Sequence, residues 1–131
     1  MPPFAASLLL TALGGALGAV LRLLSTVGAA RLFGTGLPYG TLFVNVAGGL
    51  AMGVAAGLLL ERAGDPAGRL APFLITGALG GFTTFSAFSL DVLTLLERGR
   101  HVAAFAYAGG SVLLSILALW AGLSAVRAVL P

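Results

Sequence analysis

Residues 80–89 read Gly80-Gly81-Phe82-Thr83-Thr84-Phe85-Ser86-Ala87-Phe88-Ser89, which places paired glycines and several hydroxyl groups inside an apolar segment. The surrounding run from Leu70 to Leu90 carries no charged residue and is long enough to cross a bilayer as a helix. Non-helical backbone at that depth is stable only where it is buried in protein or lines a polar cavity, because hydrocarbon offers no hydrogen bonds. The stretch therefore predicts a helix that is broken in mid-membrane, in a protein that moves or binds something there.

The composition is that of an integral membrane protein. Hydrophobic residues make up 59% of the 131 residues and charged residues only 8%, whereas a soluble domain has roughly a quarter charged residues. The length allows one domain, residues 1–131, without a separate catalytic module. With no cysteine and the single histidine His101, thiolate chemistry and a multi-histidine metal site within one chain are excluded. Seven scattered arginines and no lysine leave no basic patch for nucleic acid.

Apolar runs separated by short polar turns predict an all-α membrane protein with four transmembrane helices. The expected helices lie at about 4–30, 39–61, 70–96 and 102–127. Polar turns at 61–66 and 97–101 separate the second, third and fourth helices. The first run has no basic segment before it and is too long for a cleaved signal peptide, so it is expected to be retained.

The arginines at the segment ends bear on the orientation of the chain. Four spans place both termini and the second loop on one side, and the arginines of the two sides are Arg62, Arg69 and Arg127 against Arg31, Arg98 and Arg100. This balance leaves almost no positive-inside bias, so the chain is expected to insert in both orientations. Two copies can then form an antiparallel homodimer about a twofold axis in the membrane plane. A fixed orientation set by folding order or by other partners remains the alternative.

Polar side chains within the spans are candidates for a binding path. Thr41 lies one helical turn before Asn45, and Tyr107, Ser111 and Ser115 form a stripe at four-residue spacing. Such groups also commonly hydrogen-bond between helices or to carbonyl groups of their own helix. Their coincidence with the broken span favours a polar path.

Three further features allow either a structural or a functional interpretation. Phe85 and Phe88 are three residues apart and share a helical face, which is also typical of ordinary packing. Arg22 lies roughly 27 Å along a helix from Phe4, which favours a side chain that reaches the interface. It could instead raise the local concentration of anions in a vestibule. Asp91 lies near an interface, where it could cap a helix or form a pair.

These residues together resemble the Fluc family of fluoride channels. The run at 80–89 resembles the third-helix signature of that family, GGALGAVLR at 14–22 its first-helix motif and GTLFVN at 40–45 its second-helix motif, and Tyr107 with Ser111 resembles its fourth. The resemblance covers all four helices in order. The departures are Ala87, Asp91 and Leu23, where the family usually has threonine, glutamate and an aromatic residue.

The resemblance implies an antiparallel homodimer with two pores that exports toxic fluoride passively across the bacterial cytoplasmic membrane. It also implies a structural sodium ion at the dimer centre, held by the backbone carbonyls of Gly80 and Thr83 from each subunit. The positions that match the fluoride pore are Thr41, Asn45, Phe85, Phe88, Tyr107, Ser111 and Ser115, and Arg22 matches the vestibule arginine.

Two other classes fit parts of the sequence. A small proton-coupled multidrug exporter would share the size and the charge balance, but it needs a carboxylate near the centre of a span. A structural subunit of a larger complex would explain four-residue glycine spacing but not the interrupted span. No constellation of nucleophile, acid and base suggests an enzyme. The residues favour a transport protein, and the resemblance to the Fluc family implies that it is a fluoride channel.

Overall fold

The computed structural model describes residues 3–62 and 68–130, without the side chain of Arg62. The helices are α1 (Phe4–Phe33), α2 (Tyr39–Ala55), α3 (Ala71–Leu79 with Gly80–Phe82), α4 (Ser86–Glu97) and α5 (His101–Val129). The first part of α3 and a continuation of α2 at Ala56–Arg62 have the wider π-helical hydrogen bonding. The described residues are otherwise turns and bends, and residues 63–66 of the predicted polar turn lie outside them.

Within residues 3–62 and 68–130, four segments are long and apolar enough to cross a membrane, judged by length and composition. They are Phe4–Phe33, Tyr39–Glu61, Ala71–Glu97 and His101–Val129. The predicted all-helical architecture with four long apolar spans is therefore confirmed. The first helix continues to Phe33 rather than to the expected residue 30.

Glycines with positive φ end two of the helices. After α1, Gly34 has φ 78°, a conformation that glycine adopts without steric cost. After α4, Gly99 has φ 74° and its N–H donates to the carbonyl of Leu96, while the N–H of Arg100 donates to Leu95. This is a Schellman ending, and it satisfies carbonyls that the last helical turn would leave without partners.

Glycine also brings α1 into backbone contact with α3. A Cβ atom added at Gly14 would lie 2.9 Å from the Ala78 nitrogen, and one added at Gly18 would lie 2.8 Å from the Phe82 nitrogen. On the other helix, a Cβ at Gly81 would lie 2.7 Å from the Gly15 carbonyl oxygen. Small residues at four-residue spacing permit such close packing in membrane helices. The first half of the third span is therefore seated directly on α1.

Glycines also bring α2 into close contact with α5. A Cβ at Gly49 would lie 2.8 Å from the Ser115 carbonyl oxygen, and one at Gly53 would lie 2.8 Å from the Leu123 nitrogen. From the opposite side, a Cβ at Gly122 would lie 3.1 Å from the Val54 nitrogen.

Polar contacts join α2 and α5 at both ends. Arg127 donates to both carboxylate oxygens of Glu61, at 2.9 and 2.6 Å. At the beginning of the two helices, Arg100 donates to the carbonyl of Gly36. The loop before α2 is thus tied to the first residues of α5.

The close α2–α5 contact can be tested with Gly53→Ala. The added Cβ meets the backbone of Leu119 and Leu123, which cannot move aside as a flexible side chain can. We expect a loss of about 1–3 kcal/mol in the free energy of unfolding, measured by thermal denaturation in detergent. Gly109→Ala is the matched control, because a Cβ there meets nothing within 4 Å. Equal stability of the two variants would contradict the described packing.

Candidate functional site

The helical hydrogen bonding of the third span is interrupted between α3 and α4. The helix α3 ends at Phe82, Thr83 is extended with φ −86° and ψ 160°, and α4 begins at Ser86. The Leu79 carbonyl accepts hydrogen bonds from both the N–H of Thr83, at 3.1 Å, and its hydroxyl group, at 2.9 Å. The peptide groups after Thr83 leave the helical ladder, so they need partners from elsewhere in the fold.

Asn45 of α2 supplies those partners. Its Oδ1 accepts from the N–H of Thr84 at 2.8 Å, and its Nδ2 donates to the carbonyl of the same residue at 2.9 Å. Thr84 Oγ1 in turn accepts from the N–H of Ala87 at 3.1 Å, which caps the first turn of α4. One side chain therefore satisfies both backbone polar groups of Thr84, which belong to two successive peptide units of the break. The second hydrogen on Nδ2 is not needed for these two bonds.

A row of aromatic rings runs from the break toward α5. The ring centroids of Phe85 and Phe88 are 5.6 Å apart, and those of Phe88 and Tyr107 are 5.5 Å apart. The rings are tilted rather than stacked, as favourable aromatic pairs usually are. Phe85 is 77% exposed on the surface of the single chain. Phe88 instead packs against the core cluster that contains Tyr107.

The hydroxyl group of Tyr107 donates to Oδ2 of Asp91 at 3.0 Å. Sequence reasoning placed Asp91 near an interface, as a cap or a pair, and its pairing with Tyr107 is an addition to the predicted site. The signal was present in the spacing, since Asp91 follows Phe88 by three residues and therefore shares its helical face. Two neighbouring hydroxyl residues are buried, Thr41 at 7% exposure and Ser111 at 4%. Within the described residues, Ser111 Oγ makes no hydrogen bond of good geometry.

Five of the seven predicted pore residues line one cavity of about 430 Å³, which we call the central cavity. They are Asn45, Phe85, Phe88, Ser111 and Ser115. Thr41 lines a different cavity of about 340 Å³, the mouth cavity, together with Asp91 and Arg98. Tyr107 lines a third cavity of about 310 Å³, and Ser111 borders both this one and the central cavity.

The remaining predicted site residues lie around the end of α3. The guanidinium of Arg22 donates from Nε to the carbonyl of Gly81 at 3.0 Å. Gly80, which lies two residues before the end of α3, is exposed, and Thr83, the first residue after α3, is half-buried. Within residues 3–62 and 68–130 no group of three or more acidic, histidine or cysteine residues could hold a metal. Backbone carbonyls at an unwound helix are oxygen donors of the kind that suits a sodium ion.

Comparison with known proteins gives the family. Residues 9–123 match the family described as CrcB-like protein, Camphor Resistance (CrcB). The chain belongs to the CrcB family. A relative named fluoride-specific ion channel FluC, from Cereibacter sphaeroides, is 57% identical over 121 residues, covering 92% of this chain and 94% of the relative. Proteins of the same name are 56% identical in Paracoccus denitrificans, over 88% and 90% of the two chains, and 48% identical in Mesorhizobium japonicum, over 94% and 98%.

Membership in the CrcB family agrees with the architecture. The chain is a multi-pass membrane protein rather than an enzyme, as the sequence predicted. The matched residues 9–123 include the interrupted span and every predicted site residue, from Arg22 to Ser115. The similarity therefore extends over the whole candidate site of this CrcB protein.

Replacement of Asn45 tests the support of the break. We expect Asn45→Ala to lower the free energy of unfolding by about 2–4 kcal/mol, because it leaves two partly buried backbone groups of Thr84 without partners. Thermal unfolding in detergent measures this. Ser25→Ala is the control, since that exposed hydroxyl group only donates to a carbonyl of its own helix. A loss for Asn45→Ala no larger than for the control would show that the break does not depend on the amide.

Proposed function

We propose that this CrcB protein is a fluoride-selective channel that exports fluoride passively across the bacterial cytoplasmic membrane and so lowers fluoride toxicity. The observation that carries the proposal is the central cavity, where neutral hydrogen-bond donors and two phenylalanine rings meet at the interrupted span. The 57% identity to a protein named fluoride-specific ion channel supports the same substrate.

The chemistry of the central cavity suits a small anion that accepts hydrogen bonds strongly. A pore must replace the water around fluoride, and the free hydrogen of Asn45 Nδ2 and the hydroxyl groups of Ser111 and Ser115 are available donors. The edges of Phe85 and Phe88 carry partial positive charge and can face the ion. Because these groups are neutral, they hold the ion less tightly than a buried arginine would, and conduction requires that the ion can leave.

The path continues along α5 toward the mouth cavity. Ser111 lies between the central cavity and the cavity that Tyr107 lines, and its buried oxygen is free to rotate toward an ion. Tyr107 and Thr41 then provide hydroxyl groups near the mouth. Asp91 holds the Tyr107 hydroxyl by accepting its hydrogen, so the phenolic oxygen has a fixed direction. Arg22 belongs to the vestibule in this proposal.

A second, antiparallel copy completes the pore. Phe85 is largely exposed, and the central cavity has an open side on the surface of a single chain. The polar groups of this cavity need a protein cover, because polar groups and non-helical backbone at membrane depth are stable only where they are buried in protein or line a water-filled cavity. The three arginines on each side allow both orientations, which an antiparallel pair requires.

At the centre of such a dimer the interruption of the third span would lie in mid-membrane. Carbonyls of Gly80 and Thr83 from the two copies would hold a structural sodium ion there. The ion would supply positive charge to carbonyl oxygens that the interrupted helix leaves without N–H partners. This site is structural, and no step of conduction passes through it.

The first test is efflux from liposomes that contain the purified protein. We expect fast loss of fluoride and retention of chloride at matched gradients, measured with ion-selective electrodes. Liposomes without protein give the leak rate. If folded, dimeric protein released neither ion faster than this leak, the channel proposal would be overturned.

The role of the rings is tested with Phe85→Leu and Phe88→Leu. We expect fluoride efflux to fall at least about fivefold in each, because a ring-edge contact of about 1 kcal/mol corresponds to that factor. Phe105→Leu is the matched control, since Phe105 lies on α5, is 73% exposed and lines none of the three cavities. Unchanged efflux in both pore variants would exclude a direct role for the rings.

A further inference from the structure

The face of α1 that packs on α3 ends in an arginine. Gly14, Gly18 and Arg22 follow one another at four-residue spacing, so they lie on one side of the helix. The two glycines bring α1 against the backbone of α3, down to Phe82, the last residue of that helix. Arg22 is the next position along the same face, and it therefore reaches the point where α3 ends.

Arg22 acts there as a helix cap supplied by another helix. The last carbonyls of a helix have no N–H partner of their own, and they carry the negative end of the helix dipole. The carbonyl of Leu79 is satisfied by Thr83, and that of Gly81 accepts from Arg22 Nε at 3.0 Å. A Cβ at Gly81 would press on the backbone of Gly15, so the contact also requires glycine at this position.

The break is consequently held at two points three residues apart. Arg22 of α1 holds the Gly81 carbonyl, and Asn45 of α2 holds both polar groups of Thr84. Phe85 follows immediately after the second point, so its direction depends on where the chain leaves α3. The two anchors come from different helices, and together they fix the path of the segment between them.

We infer that Arg22 is a positioning residue of the pore, acting through the hydrogen bond from its Nε to Gly81 rather than through its charge. This inference rests on the proposed channel function, but it assigns the vestibule arginine a different task from attracting anions. An arginine that attracts anions works at a distance, so any cation at this position would serve. An arginine that holds a carbonyl needs an N–H at the right place, whether or not it is charged.

Side-chain length separates the two tasks. Glutamine carries its amide nitrogen the same number of bonds from Cα as arginine carries Nε, so Arg22→Gln keeps a donor at that place and removes the charge. Lysine keeps the charge but places its nitrogen one bond further out, and methionine has similar length with no donor. Arg22→Gln, Arg22→Lys and Arg22→Met therefore form a matched series.

We expect fluoride efflux of Arg22→Gln to stay within about threefold of the wild type, and that of Arg22→Met to fall about tenfold or more. We expect fluoride efflux of Arg22→Lys to be slower than that of Arg22→Gln. This lower efflux rate should persist at saturating fluoride and at all ionic strengths. Rescue by lysine but not by glutamine would overturn the inference. The inference would also be overturned if Arg22→Gln lowered fluoride efflux and a high fluoride concentration restored it. That result is expected if the arginine acts through its charge, because a charge raises the local concentration of the ion. If Arg22→Met fails to fold, the comparison of glutamine with lysine decides alone.

A measurement without fluoride keeps this inference separate from the channel function. The dipeptide Gly81–Phe82 is the only Gly-Phe pair in the chain, so protein labelled with ¹³C-carbonyl glycine and ¹⁵N-phenylalanine reports one carbonyl by NMR. We expect the Gly81 carbonyl shift to be preserved in Arg22→Gln and to move upfield in Arg22→Met as the hydrogen bond is lost. An unchanged shift in Arg22→Met would overturn the inference even if the wild type conducts fluoride. Conversely, if the wild-type protein showed no fluoride efflux, the proposed function would be overturned. The NMR shift of the Gly81 carbonyl would still test whether Arg22 holds that group.

Discussion

The two hydrogen bonds between the amide of Asn45 and the peptide groups of Thr84 are the interaction on which the site depends. A span that leaves the helical pattern exposes N–H and C=O groups, and each unsatisfied group costs several kcal/mol in an apolar medium. A primary amide can donate and accept at once, so it replaces a missing peptide partner. Without this pair, the N–H and C=O groups of Thr84 would lose the partners that α2 supplies.

Close helix packing is what makes such short side-chain contacts possible. Asn45 reaches the break only because α2 lies near α3, and Arg22 reaches Gly81 only because Gly14 and Gly18 let α1 approach. In lipid there is no hydrophobic force between helices, so backbone proximity and van der Waals contact must stabilise the assembly. The glycines therefore let the helices come close, and the polar side chains can then reach their partners on the neighbouring helix.

The sequence was sufficient for the spans and for picking out five residues that line one cavity, but not for their contacts. Charge-free runs and a bilayer of fixed thickness determine four helices almost without reference to tertiary structure. The end of α1 was misplaced by three residues, because the deciding signal was the positive φ of Gly34 rather than the nearby charge of Arg31. The partners of Arg22 and Asp91 were not predicted. Arg22 meets a carbonyl 59 residues away in the chain, and Asp91 meets Tyr107 on the next helix. Spacing within one helix shows which residues share a face, but not which partner that face meets.

Some polar groups of the candidate site have hydrogen-bond partners within the fold and others do not, and this difference bears on the proposed function. The amide of Asn45 satisfies both backbone groups of Thr84, and Thr84 Oγ1 accepts from the N–H of Ala87, so these groups of the break already have partners. Ser111 is buried and has no such commitment among the described residues. In the proposed channel, an ion would exchange its water for such hydroxyl groups without competing against the bonds that hold the break. In that proposal, a few neutral donors beside a satisfied backbone would bind a small anion strongly enough to admit it and weakly enough to release it.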